Sequence, residues 1–366
     1  MLRSNPLPRV PEGLLDFQSM FATNEACAAY LEEVRWPEGF VCPQCEASGA
    51  PYRLKTRPGL LACRLCNHQA SITAGTIMHR SKQPLRLWFW AAYLVSTSTP
   101  GLSSLQFQKQ MGLKRYETAY QLLAKLRAGV RRPGQDKIGG QHAVELDVAY
   151  VGGATKGQGK GVTRKAMVAI AVEVREGKPP KNIRDREKQS FYAGRIRMVQ
   201  IPNNDAEHLD KFIKDWVEPG TVVLSDDGAS FTNFSKLGYV HEAMVTKKDK
   251  NKIEGWVPLV HLVISNLKAW IHGTYHGAVR KKHLQEYLDE YTYRFNRRFW
   301  SMSAFRTLLQ IGTQVDPVTY AEQYAGHAAL RHNPTILPED LMDLLQHPEA
   351  ELPPDLVDLL LAESGQ

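Results

Sequence analysis

The sequence predicts a multidomain α+β protein with four parts: a small cysteine-clamped module, a helical region, an α/β domain built on a mixed five-stranded sheet with flanking helices, and a short helical acidic tail. Three observations predict it. Four of the five cysteines fall in two close pairs near the N-terminus, the apolar period changes from helical to alternating near residue 140, and five prolines, from Pro334 on, interrupt leucine-rich acidic pieces. The resulting division is 1–35, an N-terminal helical segment; 36–82, the cysteine module; 83–132, a helical region; 140–315, the α/β domain; and 316–366, the tail.

With 366 residues, 43% of them hydrophobic, the chain can bury a real core and a wholly disordered protein is excluded. The net charge of +8 averages two unlike regions. After Arg331 there are eight acids and no Lys or Arg, so residues 1–331 carry +16. A body of that sign suits a polyanion, because each cation that neutralises a phosphate also releases condensed counterions. A soluble basic protein with solvated faces would share the charge. No apolar run approaches the ~20 residues that span a bilayer, and the N-terminus lacks the apolar block of a secretory signal; the expectation is a cytoplasmic protein with no membrane partner.

Cys42-Pro-Gln-Cys45 and Cys63-Arg-Leu-Cys66 are separated by seventeen residues. Two residues between thiolates let both sulfurs of a knuckle reach one tetrahedral ion, and the intervening segment is long enough for a small hairpin. Four thiolates leave no position for water, so the expected zinc ribbon is structural. Two disulfides would need an oxidising compartment that nothing here marks. Cys27, in the apolar stretch Ala26–Leu31, reads as a core thiol. No acid occurs from Pro51 to Lys82, while Arg53, Lys55, Arg57, Arg64, Arg80 and Lys82 do, so the ribbon could lie against phosphate.

Residues 84–94 are apolar with helical recurrence and Pro100-Gly101 breaks the pattern. Leu102–Met111, Gly112 in a turn and Lys114–Arg131 then read as helix, turn, helix, with Ser103 or Ser104 as cap. A helix-turn-helix would present Lys114, Arg115, Tyr116 and Thr118 where base edges are read; a bundle with a basic solvated face has the same pattern. Eight basic residues against two acids between Lys109 and Lys137 favour DNA.

Beyond the Gly-Pro-rich linker, 142–151, 165–174 and 193–201 read as three strands of a meander, with a charged insertion at 175–190. Asn203, Asn204 or Asp205 caps a helix over 206–217, and 221–225 is a short buried strand ending at Asp226-Asp227-Gly228. Three antiparallel strands, a helix and a parallel strand is the order of the RNase H-like fold. In that order Asp147 on the first strand and an aspartate at the end of the fourth meet, and carboxylates so placed repel unless divalent cations neutralise them. Taken alone, Asp226-Asp227-Gly228 is also good turn chemistry. The helix over 259–271 contains His261, Asn266 and Lys268 but no acid, the nearest being Glu254 upstream. A further helix over 283–299 puts Glu290, Arg294 and Arg297 on one face, a pattern that a solvated ion-pair stripe shares.

At this level of detail the chain resembles the insertion-sequence transposases of the fifteen-ninety-five family, which join a zinc ribbon to a DDE-type catalytic domain. The matching pieces are Arg35-Trp-Pro-Glu-Gly-Phe-Val-Cys-Pro-Gln-Cys45, Thr73-Ala-Gly-Thr76, Asp147-Val-Ala-Tyr-Val-Gly-Gly153, Ser225-Asp226, Gly273-Thr-Tyr-His276 and Tyr293-Arg-Phe-Asn-Arg-Arg298, spread over roughly residues 15–315. The resemblance implies Asp147 and Asp226 as the first two catalytic acids, Asp226 being preferred to Asp227 because Phe231 then falls five residues on. The family's third residue, Glu or Asn, lies seven before a lysine; counting back from Lys268 gives His261, which departs from both. An imidazole can ligate a divalent ion, or the copy is impaired. Glu290, Arg294 and Arg297 resemble an additional motif of the Asn-type branches, so Glu290 would help to compensate. What is implied, then, is Mg²⁺- or Mn²⁺-dependent cleavage at the terminal inverted repeats of a mobile element and joining of the freed 3′-hydroxyls to target DNA, with Lys268, Arg294 and Arg297 on phosphates. A homodimer or larger assembly on double-stranded DNA, in a prokaryotic nucleoid, belongs to the same expectation. Two alternatives are a catalytically impaired DNA-binding derivative and an RNase H-like nuclease that cuts without strand transfer.

Overall fold

The computed structural model describes residues 7–54, 57, 59–130, 135–152, 165–177, 179, 191–226, 228–244, 256–277 and 279–325. Asp227, Glu254, most of the insertion at 175–190 and the acidic tail from 326 lie outside them.

The first unit begins with α1 (Leu14–Met20) and α2 (Asn24–Arg35), the latter capped by the Thr23 hydroxyl, which accepts the Ala26 amide at 3.1 Å. The ribbon follows as three short antiparallel strands, β1 (Tyr52–Arg53), β2 (Leu60–Ala62) and β3 (Gln69–Ser71). Next come α3 (Leu85–Thr97), α4 (Ser104–Gln110) and α5 (Tyr116–Gly129). Ser103 is the cap of α4, accepting from the Gln106 amide at 3.1 Å, and Gly112 takes the left-handed φ of +62° that the turn into α5 needs. The second helix starts two residues later than expected, at Tyr116, so Lys114 and Arg115 are exposed in the turn just before it.

The sheet of the second unit has the order β6-β5-β4-β7-β8, from β4 (Val144–Val151), β5 (Ala166–Glu176), β6 (Phe191–Ile201), β7 (Val222–Asp226) and β8 (Val240–Met244). β4, β5 and β6 form the antiparallel meander, while β7 runs parallel to β4 and β8 parallel to β7. Alternation along β4 sends Val144 and Leu146 to one face, against α6 (Ala206–Trp216), and Glu145, Asp147 and Ala149 to the other. That second face is covered by α7 (Pro258–Tyr275), whose Val260, Val263, Ile264, Leu267 and Ile271 make the buried stripe, and by α8 (Lys281–Asn296).

β6 is an edge strand, and α8 blunts it. Asn296 accepts the Ile196 amide at 2.7 Å and donates to the Ile196 carbonyl at 3.1 Å, and Gln285 does the same for Gln200 and Met198 at 2.8 and 3.2 Å. Edge backbone groups that could pair with another chain are satisfied internally.

The last large helix, α9 (Ser301–Gln314), leaves this domain. Its Ala304, Phe305, Leu308 and Leu309 are buried with Phe17, Phe21, Tyr30 and Phe89 in the core of the first unit. Sequence division at 315 placed this helix with the sheet; its apolar face instead completes the N-terminal core, so the chain passes through the α/β domain and returns. The ribbon shares that core through Cys42, Leu61, Cys63 and Ala70. A short α10 (Tyr320–Ala325) follows. No helix among the described residues is long and apolar enough to cross a membrane.

Candidate metal centres and nucleic-acid interface

The four cysteine sulfurs converge, all lying within 4.8 Å of one another. Cys42 and Cys66 Sγ are 3.6 Å apart and Cys45 and Cys63 Sγ 3.7 Å. A tetrahedral ion with Zn–S bonds of about 2.3 Å needs sulfurs roughly 3.8 Å apart, so the set is already dimensioned for zinc. The Leu65 amide points at the Cys63 sulfur at 3.4 Å, and the amides of Cys66 and Leu65 lower the Cys63 thiol pKa towards the thiolate form that zinc requires. Behind the ribbon, Arg35 donates to the carbonyls of Ser71, Ile72 and Ala74 at 3.0, 2.7 and 2.8 Å. Two separate sequence motifs thereby meet at one guanidinium, which ties the ribbon to α2.

The acidic site is built by register. Val144 pairs with Val223 and Glu145 with Leu224 across β4 and β7, so two residues further on Asp147 and Asp226 stand side by side on parallel strands, which run roughly 4.8 Å apart. Burial pushes the Asp147 carboxyl above its ordinary value; the Val148 amide, bound at 2.7 Å, and the charges of His261 and Lys268 oppose the rise, and Asp226 adds to it. One oxygen of Asp226, Oδ1, is buried with no hydrogen-bond donor. Below it the Ser225 hydroxyl donates to the Asp226 carbonyl and meets His241 Nε2, both at 2.8 Å.

His261 approaches from α7, its Nε2 3.5 Å from Asp147 Oδ2. Lys268 lies seven residues along the same helix, two turns further on the same side, and is exposed. The helix is held over the strand by Glu145, buried on the same face of β4 as Asp147, which accepts the Val260 amide at 2.7 Å. That bond satisfies a first-turn donor that the helix cannot satisfy itself. Burial drives the Glu145 carboxyl up to about 7 against the pull of the Val260 and Leu259 amides. Glu145 was visible in the sequence only as an acid two residues from Asp147; strand alternation put it on the right face, but its partner is 115 residues away.

An orphaned buried carboxylate oxygen, a second carboxylate beside it and an imidazole make an oxygen-rich donor set that fits a hard divalent cation such as Mg²⁺ or Mn²⁺. Asp147, Asp226 and His261 do not close as tightly as the cysteines, which are the one group of three or more ligating side chains found to converge among the described residues.

Glu290 and Arg294 sit elsewhere. Glu290 Oε2 accepts from Arg127 Nε at 2.7 Å with both side chains 1% exposed, so the pair joins α8 to α5. Tyr287 lies under the Arg127 guanidinium at 4.6 Å, and Tyr275 hydroxyl is 3.4 Å from it. Arg294 donates to the carbonyls of Ser98 and Thr99 and lies 3.7 Å from Glu290 Oε1. Both face the junction with the first unit. Arg297 stacks on Tyr293 at 4.2 Å.

A zinc ribbon fused to a helix-turn-helix-like pair and an RNase H-like sheet with paired aspartates defines a class, the DDE-type proteins of mobile DNA. Comparison with known proteins narrows it. Residues 138–296 match the ISXO2-like transposase domain and residues 22–69 the transposase zinc-ribbon domain, together more than half of the chain. The chain belongs to the fifteen-ninety-five (IS1595) family of insertion-sequence transposases. It is 26% identical over 142 residues to an uncharacterized protein in the transposable element ISH50 of Halobacterium salinarum, a match covering 38% of this chain and 45% of that relative, so under half the relative's length is spanned. No solved structure matches.

Proposed function

We propose that the protein is a DNA transposase that binds the terminal inverted repeats of its element, cleaves at the element ends and joins the 3′-hydroxyls to target DNA. The observation that carries the reading is the placement of Asp147 beside Asp226, with one Asp226 oxygen left without a donor, in a chain that also holds a zinc ribbon. Asp147, Asp226 and His261 would hold the cations, and Glu145, by fixing the first turn of α7, keeps His261 in reach. Bound there, divalent cations would supply activation of the attacking oxygen and stabilisation of the leaving one. Lys268, exposed two turns along α7, would contact a phosphate of the bound strand. Lys114 and Arg115, exposed ahead of α5, would contact the duplex, and assembly of paired ends calls for at least two copies.

Strand transfer of labelled cognate ends in Mg²⁺ or Mn²⁺ tests this on intact protein and on Asp147→Asn, Asp226→Asn and His261→Ala. The expected result is joining by the intact protein and its loss in both Asn variants. Full activity of His261→Ala would remove His261 from the ligand set. Duplex binding with no cleavage by the intact protein identifies the impaired derivative, and cleavage without joining the nuclease. Asp226→Asn also relieves an unpaired buried charge, so its thermal midpoint without divalent cations should be no lower than that of the intact protein, while a Mg²⁺-dependent rise should disappear.

A further inference from the structure

At the opposite end of the sheet from Asp226, a cavity of about 270 Å³ opens where the first unit hands over to the second. Its floor is β6, its walls the segment after α5 at Gln135–Asp136 and the C-terminal half of α8, and Ile311 of α9 closes one side. The cavity is several times the ~30 Å³ share of a water molecule.

Its chemistry is that of an anion site. Arg195, Arg197 and Arg297 line the cavity beside Asp136 and Asp289. Arg197 is 7% exposed; its guanidinium donates to the carbonyls of Ile196 at 3.1 Å and Asp136 and lies 5.6 Å from the Trp216 ring centroid, while its Nε has no hydrogen-bond partner. The neighbouring carboxylate is already shared: Glu173 takes Arg195 on one oxygen at 2.8 Å and Arg175 on the other at 2.8 Å. Asp289, in the cavity wall, accepts from Gln285 at 2.8 Å. Thr292, in the same wall, carries a second buried polar atom without a partner, Oγ1. Burial, with Arg195 and Arg297 nearby, lowers the Arg197 pKa to about 10 against the opposing charges of Glu173 and Asp136. A buried guanidinium with an idle N–H is costly to keep unless an anion completes it.

We propose that this cavity is an oxyanion site that takes a phosphate group, with Arg197 and Thr292 as its inner donors. A backbone phosphate of DNA bound there would fix the linker between the DNA-reading helices and the sheet; a free phosphate would fill the same donors. The site stands apart from Asp147 and Asp226 and does not require the protein to be an active transposase.

The test is the thermal midpoint of the intact, zinc-loaded protein as inorganic phosphate replaces chloride at constant ionic strength, for the unaltered chain, Thr292→Val and Arg197→Lys. Thr292→Val is nearly isosteric and breaks no hydrogen bond of the folded protein, so it covers the case in which Arg197→Lys fails to fold. A saturating rise is expected in the unaltered chain, with phosphate affinity about tenfold weaker in Thr292→Val, as loss of a hydrogen bond to a charged group implies. A rise that does not saturate, or that survives unchanged in Thr292→Val, overturns the proposal. Duplex binding by the same variants identifies the source: a parallel loss assigns the phosphate to DNA, and unchanged duplex binding beside lost phosphate binding assigns it to the free ion.

Discussion

The Arg127–Glu290 pair lends itself to a quantitative test, because it decides between two roles for Glu290. Both side chains are 1% exposed and 2.7 Å apart, Glu290 Oε1 lacks a hydrogen-bond donor, and the pair spans α5 and α8. Removing Glu290 leaves the Arg127 guanidinium as an uncompensated buried charge, which typically costs about 3–5 kcal/mol, whereas replacing both by apolar side chains of similar volume is often near neutral. Arg127→Met should cost less than Glu290→Met. Without Arg127, Glu290 still has Arg294 3.7 Å from its Oε1; without Glu290, the guanidinium stays charged and Tyr287 at 4.6 Å offsets only part of that charge. At about 2–4 °C per kcal/mol for a domain of this size, each single variant should lower the thermal midpoint by on the order of 10 °C and the double variant should recover most of that loss. Calorimetry on the four proteins reads this directly. Additive costs, or single variants within about 1 kcal/mol of the parent, would refute the reasoning. The catalytic alternative is read separately with Glu290→Gln at a temperature where it is fully folded. A junction role leaves cation-dependent cleavage intact, and a loss beyond roughly 100-fold would put Glu290 in the chemistry.

Zinc removal by a chelator, or Cys63→Ser, should melt more than the ribbon, because Cys42, Leu61 and Cys63 lie in the core that α2, α3 and α9 share; loss of helical circular dichroism alongside zinc release checks it. Acid sensitivity should come partly from Glu173. Burial alone would raise its carboxyl, but hydrogen bonds from Arg195 and Arg175 prevail and hold it at about 2 against an ordinary 4.5. A depressed folded pKa contributes stability above the unfolded value and loses it as pH falls, so about 3 kcal/mol should vanish between pH 4.5 and 2. Acid titrations of Glu173→Gln should show a shallower slope in that window, and an unchanged slope would exclude this carboxylate as the source. Gly101→Ala should be costly, on the order of 2 kcal/mol or more. Its φ is +86°, and a Cβ would stand 2.3 Å from Trp270 Nε1 and 2.7 Å from Thr274 Oγ1. Denaturant midpoints measure it, and a neutral outcome would mean that the α3–α4 loop can lift from α7.

The parts of the fold that were legible before the structure are those whose signal is local. Two Cys-x-x-Cys knuckles specify a tetrahedral site by covalent spacing alone, and the sulfurs meet at zinc dimensions. Ser103 and Gly112 mark the start of α4 and the turn after it by chain conformation. Asp147 and Asp226 could be paired because strand order and alternation are short-range rules, and β4 and β7 carry them in register. β8 was not located beforehand, since Val240–Met244 is brief and its alternation carries little apolar weight.

What only tertiary structure decided are the pairings of buried polar groups far apart in the chain. Glu290, Arg294 and Arg297 share a helical face, which periodicity shows, but the partner across that face does not follow from periodicity: it is Arg127, 163 residues earlier. Likewise α9 has an amphipathic pattern that suits either unit, and it goes to the N-terminal core because Phe305 fits among Phe17, Phe21, Tyr30 and Phe89. Arg197 reads in sequence as one more cation on an alternating strand; its unpartnered Nε is buried only once β6, α8 and the linker enclose it. The sequence by itself determined the modules, the four converging cysteines and the strand positions of Asp147 and of the Asp226-Asp227 pair, because local spacing and strand alternation encode them; the choice of Asp226 came from the family resemblance. The tertiary structure decided which charges face one another in the interior, because desolvation and pairing depend on enclosure by segments that no local pattern brings together.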